Sequence, residues 1–250
     1  MAVAPRPAHR PPSRPVIHVR TDERIVVTGG TGTGKTTFVR KFLYPRIPRE
    51  HPVVVVDPKR DAIWCDLPDT GWSGRYLTEL KPDERSAFRF GESTQAEESR
   101  GLAHNRRFDS FIDYCFKRGN ILIIMDETAT MFNGPYTMTP NMSRCIREGR
   151  QRGIGIWWLT QRPSNIPTII LTEAQCAAVF NLQYRGDRMK VAQAFGDELE
   201  AKPDLTAEED IPHKFWWVRN QARPIIVELQ LRQKKVTRAQ EKSERTEAYG

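Results

Sequence analysis

Short runs of apolar, often β-branched residues recur along this chain, separated by stretches whose apolar positions fall three and four apart. The runs predict strands at Arg24–Thr28, Val53–Asp57, Phe88–Phe90, Ile121–Asp126, Gly155–Thr160 and Ala177–Leu182, then a closing pair at Phe215–Arg219 and Ile225–Leu229. Helical spacing predicts helices at Lys35–Tyr44, Arg106–Arg118, Met142–Arg152 and Arg188–Phe195. Val53 to Val56 and Ile121 to Met125 carry no polar interruption. That is how strands read when helices cover both faces of a parallel sheet. The last two strands, joined by Asn220 to Pro224, predict a hairpin. The expected fold class is α/β, a mainly parallel sheet flanked by helices with a C-terminal β-hairpin.

The patterned region spans residues 16–231. Residues 1–15 place Arg6, Arg10 and Arg14 among prolines, a composition that cannot bury a core and reads as an extended basic arm. Residues 232–250 form a charged tail with almost nothing apolar. A length of 250 residues suits one large α/β domain with tails rather than two such domains. The net charge of +8 favours polyanionic partners without naming one. Cys65, Cys115, Cys145 and Cys176 follow no CxxC or Cys/His spacing, so they suggest neither a zinc site nor a disulfide framework and fit a reducing compartment. No apolar run approaches the roughly 20 residues of a membrane span, and Met1 to Arg20 lacks the apolar centre of a signal peptide. A soluble protein of the cytoplasm, or of a particle assembled there, is expected.

Chemistry enters with Gly29-Gly30-Thr31-Gly32-Thr33-Gly34-Lys35-Thr36, which fits G-x-x-x-x-G-K-[ST] between a predicted strand and a predicted helix. A Gly-rich turn alone would mean little, but this context is the one a phosphate-binding loop needs. Small residues let backbone N–H groups curl round a β-phosphate at the helix start, with Thr37 next in line. Lys35 would reach the β- and γ-phosphates, and the Thr36 hydroxyl would face Mg²⁺. ATP and Mg²⁺ are therefore the expected ligands.

The run from Ile121 delivers Asp126 and Glu127 at a strand's C-terminal end, where open α/β sheets bind ligands. Two carboxylates ending a strand are often only solvated charge. With the phosphate loop upstream, Asp126 is read as the Mg²⁺ carboxylate and Glu127 as the group that activates water. Gln161 ends another strand and can bond both a γ-phosphate oxygen and the attacking water. The helix before it, Arg144 to Arg152, is densely basic, and one guanidinium there could reach a neighbouring subunit's nucleotide. A solvated basic face or a DNA contact explains any single member as well. Trp157-Trp158 and Trp216-Trp217 lie inside apolar strands, which points to core or subunit-interface packing before base stacking.

Together GGTGTGKT (29–36), VVVVDPKRD (53–61), ILIIMDE (121–127) and GRQRGIGIWWLTQRPSNIP (149–167) resemble the HerA–FtsK superfamily of DNA-pumping ATPases, over about residues 24–230. The resemblance implies a RecA-like (ASCE) P-loop NTPase fold and a hexameric homo-oligomeric ring around double-stranded DNA. It matches Arg150 to the family's trans-acting arginine, with Arg147, Arg152 and Arg188 in reserve, and Gln161 to its sensor. It suggests pore contacts in the Asn133–Asn141 loop and near Arg185 and Arg188. The chain is expected to lack a HerA-type N-terminal β-barrel, a membrane anchor and the C-terminal DNA-reading domain of FtsK. In this it is similar to the genome-packaging ATPases of membrane-containing bacteriophages and archaeal viruses.

The expectation is thus an ATP-driven double-stranded DNA translocase that packages a viral genome into a preformed capsid. It would work in the host cytoplasm or on the virion, with a capsid or membrane vertex protein as a further partner. A conjugation, plasmid or DNA-repair pump fits the same motor residues. A P-loop ATPase acting on a protein, of the secretion or assembly type, is the second class; its binding need not show the steep salt dependence of phosphate contacts. Glu127 disfavours a kinase, since a carboxylate beside the γ-phosphate promotes hydrolysis.

Overall fold

A computed structural model describes residues 17–57, 64, 71–72, 86–88, 102–132, 138–202, 214–220 and 222–229. The uninterrupted apolar runs become strands with every residue buried: β1 (Arg24–Thr28), β2 (Val53–Val56), β5 (Leu122–Met125), β6 (Gly155–Thr160) and β7 (Cys176–Val179). Two short strands, β3 (Gly71–Trp72) and β4 (Ser86–Phe88), and the hairpin β8 (Lys214–Arg219) and β9 (Ile225–Glu228) complete a nine-stranded sheet in the order β3-β4-β2-β5-β6-β1-β7-β8-β9. Pairing is parallel from β3 through β7 and antiparallel at β8 and β9. The expected α/β fold with a mainly parallel sheet and a C-terminal hairpin is the one observed.

Alternation along each strand feeds two cores. Ile25, Val27, Leu122, Ile124, Trp157 and Leu159 pack on one face under Phe38, Val39 and Leu43 from the helix after the glycine loop. Val26, Ile123, Met125, Ile156 and Trp158 pack on the other face. There they meet Phe108, Phe111 and Ile112 of α2 (Leu102–Arg118) and Met142, Cys145 and Ile146 of α3 (Pro140–Glu148). Burying each such side chain contributes about 1.5–3 kcal/mol before the entropy cost of ordering it. Trp157 and Trp158 are fully buried, as core packing requires, and Trp217 is nearly so. A base could not stack on any of the three. Burial also pushes the Cys145 and Cys176 thiols up to about 12.

Most differences from the sequence reading lie at element ends, and β3 and one short helix were not expected at all. The expected helix Lys35–Tyr44 is α-helical only over α1 (Lys35–Phe38), widens into a π-turn over Val39–Leu43 and tightens to 3-10 over Tyr44–Arg46. Pro45 has no N–H to give to Lys41, so a regular ladder cannot continue through it. The α-helix expected through Arg152 stops at Glu148 and closes as a 3-10 turn, Gly149–Arg152, ended by Gly153 at φ +70°. The helix α2 starts earlier than Arg106, and α5 spans Arg185–Phe195 rather than starting at Arg188. The weak strand expected at Phe88–Phe90 forms at Ser86–Phe88. The short helix α4 (Thr168–Thr172) was not anticipated; five residues are too few to show a period. Both tails lie outside the described residues. No helix among the described residues is long and apolar enough to cross a membrane.

Candidate nucleotide site

Because β2, β5, β6, β1 and β7 run parallel and adjacent, their C-terminal ends share one edge of the sheet. The chain leaves β1 at Gly29, whose N–H donates to the Thr160 carbonyl (3.3 Å), and Gly30 N–H donates to the Asn181 carbonyl (2.9 Å). The loop is thereby pinned between the ends of β6 and β7. A Cβ at Gly29 would lie 2.5 Å from the Phe180 Cβ, at φ +156°, so only glycine fits. Gly34, at φ +98°, turns the chain into α1, and Phe38 N–H donates to its carbonyl (2.8 Å). The Thr33 hydroxyl and the Lys35 ammonium both donate to the Gly30 carbonyl, at 2.9 and 2.8 Å. Thr36 and Thr37 follow in the first turn of α1, half-buried.

At the end of β5, Asp126 N–H donates to the Val56 carbonyl (2.9 Å), which fixes the backbone against β2. The Asp126 carboxylate is 8% exposed. Its Oδ1 accepts the Glu127 N–H (2.9 Å) and its Oδ2 accepts the indole N–H of Trp64 (2.7 Å). Burial raises the pKa of this carboxyl, while those two donors and the nearby Lys35 charge work in the opposite direction. Glu127 adopts a left-handed conformation (φ +47°, ψ +47°), which costs a non-glycine residue about 1–2 kcal/mol. Such strain gathers where a side chain must be aimed. The Thr128 hydroxyl donates to the Met125 carbonyl (3.1 Å) and closes the turn behind it.

Since β6 lies between β1 and β5, Gln161 emerges between the glycine loop and Glu127. Its amide nitrogen donates to Glu127 Oε1, and its oxygen accepts the Thr31 hydroxyl (2.8 Å). One neutral side chain thus joins the phosphate-loop residue to the carboxylate. The next residue anchors it. Arg162 pairs with Asp187 (2.9 Å), a carboxylate 2% exposed at the start of α5 that also accepts the Ser164 N–H (2.9 Å). The Arg162 guanidinium sits 5.0 Å from the centre of the Tyr184 ring.

The structure therefore gathers Lys35, Thr36, Asp126, Glu127 and Gln161 at one edge, and it sets the basic segment apart. Arg150 follows α3 and precedes β6, at the sheet's opposite edge; the six residues of β6 put about 20 Å between those edges. Arg147 and Arg150 are both exposed. Arg152 lies 4.4 Å from the Phe116 ring centre, and Arg144 lies 4.2 Å from it. Arg188 is committed elsewhere: its guanidinium donates to the carbonyls of Leu182 (2.9 Å), Gln183 (2.8 Å) and Glu200 (2.8 Å) and acts as a clamp on α5. Arg185 pairs with Glu200 (3.1 Å). Of the loop expected at Asn133–Asn141, residues 133–137 lie outside the described residues and Pro140 already begins α3. The Asn141 amide is tied to Asp109 on α2 (2.9 Å), so it is a helix–helix contact and not a free loop residue.

The metal-ligating groups the motifs supply here, the Thr36 hydroxyl in the first turn of α1 and the Asp126 carboxylate at the end of β5, are oxygens, which suits a hard cation that keeps waters and phosphate oxygens as its other ligands. Mg²⁺ fits this set. Trp64, Asn181 and Asp187 are the residues the motif reading passed over. Trp64 lies three residues beyond the VVVVDPKRD motif, and no local pattern marks any of the three.

No protein-family profile and no curated protein sequence matches the chain. Solved structures do. The genome packaging NTPase B204 from Sulfolobus turreted icosahedral virus 2, in complex with ATP-gammaS, superimposes with a TM-score of 0.64 at 14% identity, over 85% of this chain and 100% of that one. EssC (ATPases 2 and 3) from Geobacillus thermodenitrificans gives 0.51 at 13% identity, over 90% of this chain and 43% of that one. The pCW3 conjugation coupling protein TcpA, with ATPgS, gives 0.51 at 14% identity, over 84% and 61%. The chain shares the fold of these solved structures, a mainly parallel α/β sheet flanked by helices.

Proposed function

We propose that this protein hydrolyses Mg-ATP and uses the energy to move double-stranded DNA. The observation that carries the hydrolytic half is the bridge from Thr31 through Gln161 to Glu127, which puts a carboxylate and its orienting amide beside the phosphate loop. Lys35 and the loop N–H groups hold the phosphates. Glu127 accepts the proton of the attacking water at a carboxylate oxygen, and the Gln161 amide orients that water and senses the γ-phosphate. Mg²⁺, held by Thr36 and through Asp126, would supply charge neutralisation on the phosphate oxygens.

The distance between Arg150 and its own phosphate loop favours a site completed by a second copy. An exposed guanidinium on the far edge of one subunit serves the nucleotide of the next, which closes into a ring, hexameric in this reading. Arg188 is removed from the reserve by its three carbonyl bonds, leaving Arg147 and Arg152 behind Arg150. The net charge of +8 supports a polyanionic track. Genome packaging into a capsid is the finer role we assign. Its support is the likeness to B204, which this fold matches over that protein's whole length.

The test is ATP turnover with and without duplex DNA across a salt series. Duplex DNA is expected to raise turnover several-fold at low salt, with the stimulation falling steeply as salt rises and counterion release loses its advantage. Turnover indifferent to DNA at every salt concentration would sink the DNA half and favour a protein partner.

A further inference from the structure

Trp64 stands in the segment after β2, 62 residues from Asp126 in sequence, and is fully buried. Its indole N–H is a donor with no acceptor function, and it meets Asp126 Oδ2 at 2.7 Å. The other oxygen, Oδ1, takes the Glu127 N–H at 2.9 Å. A carboxylate swings about two side-chain bonds, and two donors, one from the backbone of the next residue and one from a side chain 62 residues away in sequence, restrain both freedoms. Each donor occupies one lone pair of its oxygen, so each oxygen keeps a lone pair for a further ligand.

The plain alternative is that Asp126 merely satisfies a buried indole. The rest of the fold argues against a general need for that. The indole nitrogens of Trp157, Trp158 and Trp216 are buried and make no hydrogen bond. This protein leaves indoles unpartnered in its core, yet pairs Trp64 with Asp126, the carboxylate at the end of β5 that lies near Lys35.

We infer that Trp64 is a positioning residue for Asp126: its N–H holds Oδ2 in the orientation that receives the hydrated Mg²⁺ of the bound nucleotide. The inference rests on the reading of Asp126 as the Mg²⁺-facing carboxylate. Outer partners of this kind are worth roughly 10–100-fold in metal affinity where they have been removed.

The experiment uses the full chain and a fluorescent, non-hydrolysable ATP analogue, and reads the Mg²⁺ concentration that gives half-maximal binding. Trp64→Phe, which keeps a ring and removes the N–H, is expected to raise that concentration about 10-fold and to leave binding of the analogue in excess chelator unchanged. Trp64→His places an N–H donor at the same distance along the side chain and is expected to recover most of the loss. Asp126→Asn is expected to raise the Mg²⁺ requirement by itself, and adding Trp64→Phe to it should cost nothing more. Intrinsic fluorescence gives a second readout, a Mg²⁺-dependent change in tryptophan emission present in the wild type and absent in Trp64→Phe. If Asp126→Asn weakens Mg²⁺ and Trp64→Phe does not, Trp64 has no positioning role. The positioning role is equally overturned if Trp64→Phe and Trp64→His behave alike, or if the Trp64→Phe effect persists undiminished when combined with Asp126→Asn. If Asp126→Asn leaves the Mg²⁺ requirement untouched, the underlying assignment of Asp126 fails instead.

Discussion

Glu127→Gln is expected to lower steady-state ATP turnover roughly 10²–10⁴-fold, the range for losing a general base, while Mg-ATP still binds. The substitution keeps the shape and removes only the ability to take a proton. The bridge can survive it, because a glutamine at this position still offers an oxygen to the Gln161 amide where Glu127 Oε1 stood. The left-handed turn also persists, being held by the bond from the backbone N–H of this residue to Asp126 Oδ1 and by the Thr128 bond to Met125. Binding and chemistry should therefore separate cleanly. Parallel measurement of turnover and of equilibrium nucleotide binding checks this. A variant that hydrolyses within a few-fold of wild type would move the base to another residue.

Lys35→Ala is expected to fail at the earlier step. Lys35 is 7% exposed, bonded to the Gly30 carbonyl, and close enough to Asp126 to act on its charge. A charge-assisted hydrogen bond to phosphate is worth about 1.5–3 kcal/mol, so affinity for Mg-ATP should fall by roughly 10–150-fold. Turnover at saturation should drop by roughly 10²-fold or more, since the same ammonium meets the charge that develops on the transferred phosphoryl group. Titration of a fluorescent ATP analogue against both variants separates them: tight binding with slowed turnover for Glu127→Gln, weak binding with slowed turnover for Lys35→Ala. Unchanged affinity in Lys35→Ala would mean that the phosphates lie elsewhere than in this loop.

The parts of this site that follow from local chemistry were legible in the sequence. A glycine loop between a strand and a helix can fold in few ways, and the apolar runs at Val53 and Ile121 announce strands covered on both faces. What needs strand order was not legible. That Gln161 touches both Thr31 and Glu127 depends on β6 lying between β1 and β5, a fact carried by no single segment. Trp64 was invisible as a partner of Asp126 for the same reason. Arginines misled in the opposite direction, because the sequence shows their charge and hides their acceptors. Arg188 reads as a free cation until the backbone carbonyls of Leu182, Gln183 and Glu200 are seen to converge on it. Asn141, expected in a loop, is the second residue of a helix that Pro140 starts, with its amide spent on Asp109. Pro45 likewise carried the information that α1 could not run on regularly, but only the structure tells that the ladder widens before it tightens.

Movement along DNA is the central claim, and displacement of a third strand tests it most directly. A labelled oligonucleotide annealed as a triplex on one arm of a linear duplex is released when a motor runs through it. The wild-type chain is expected to release that strand only with hydrolysable ATP, at a rate that rises with the ATP concentration, and Glu127→Gln should release none. ATP hydrolysis that proceeds on the same duplex while the third strand stays in place would contradict the account.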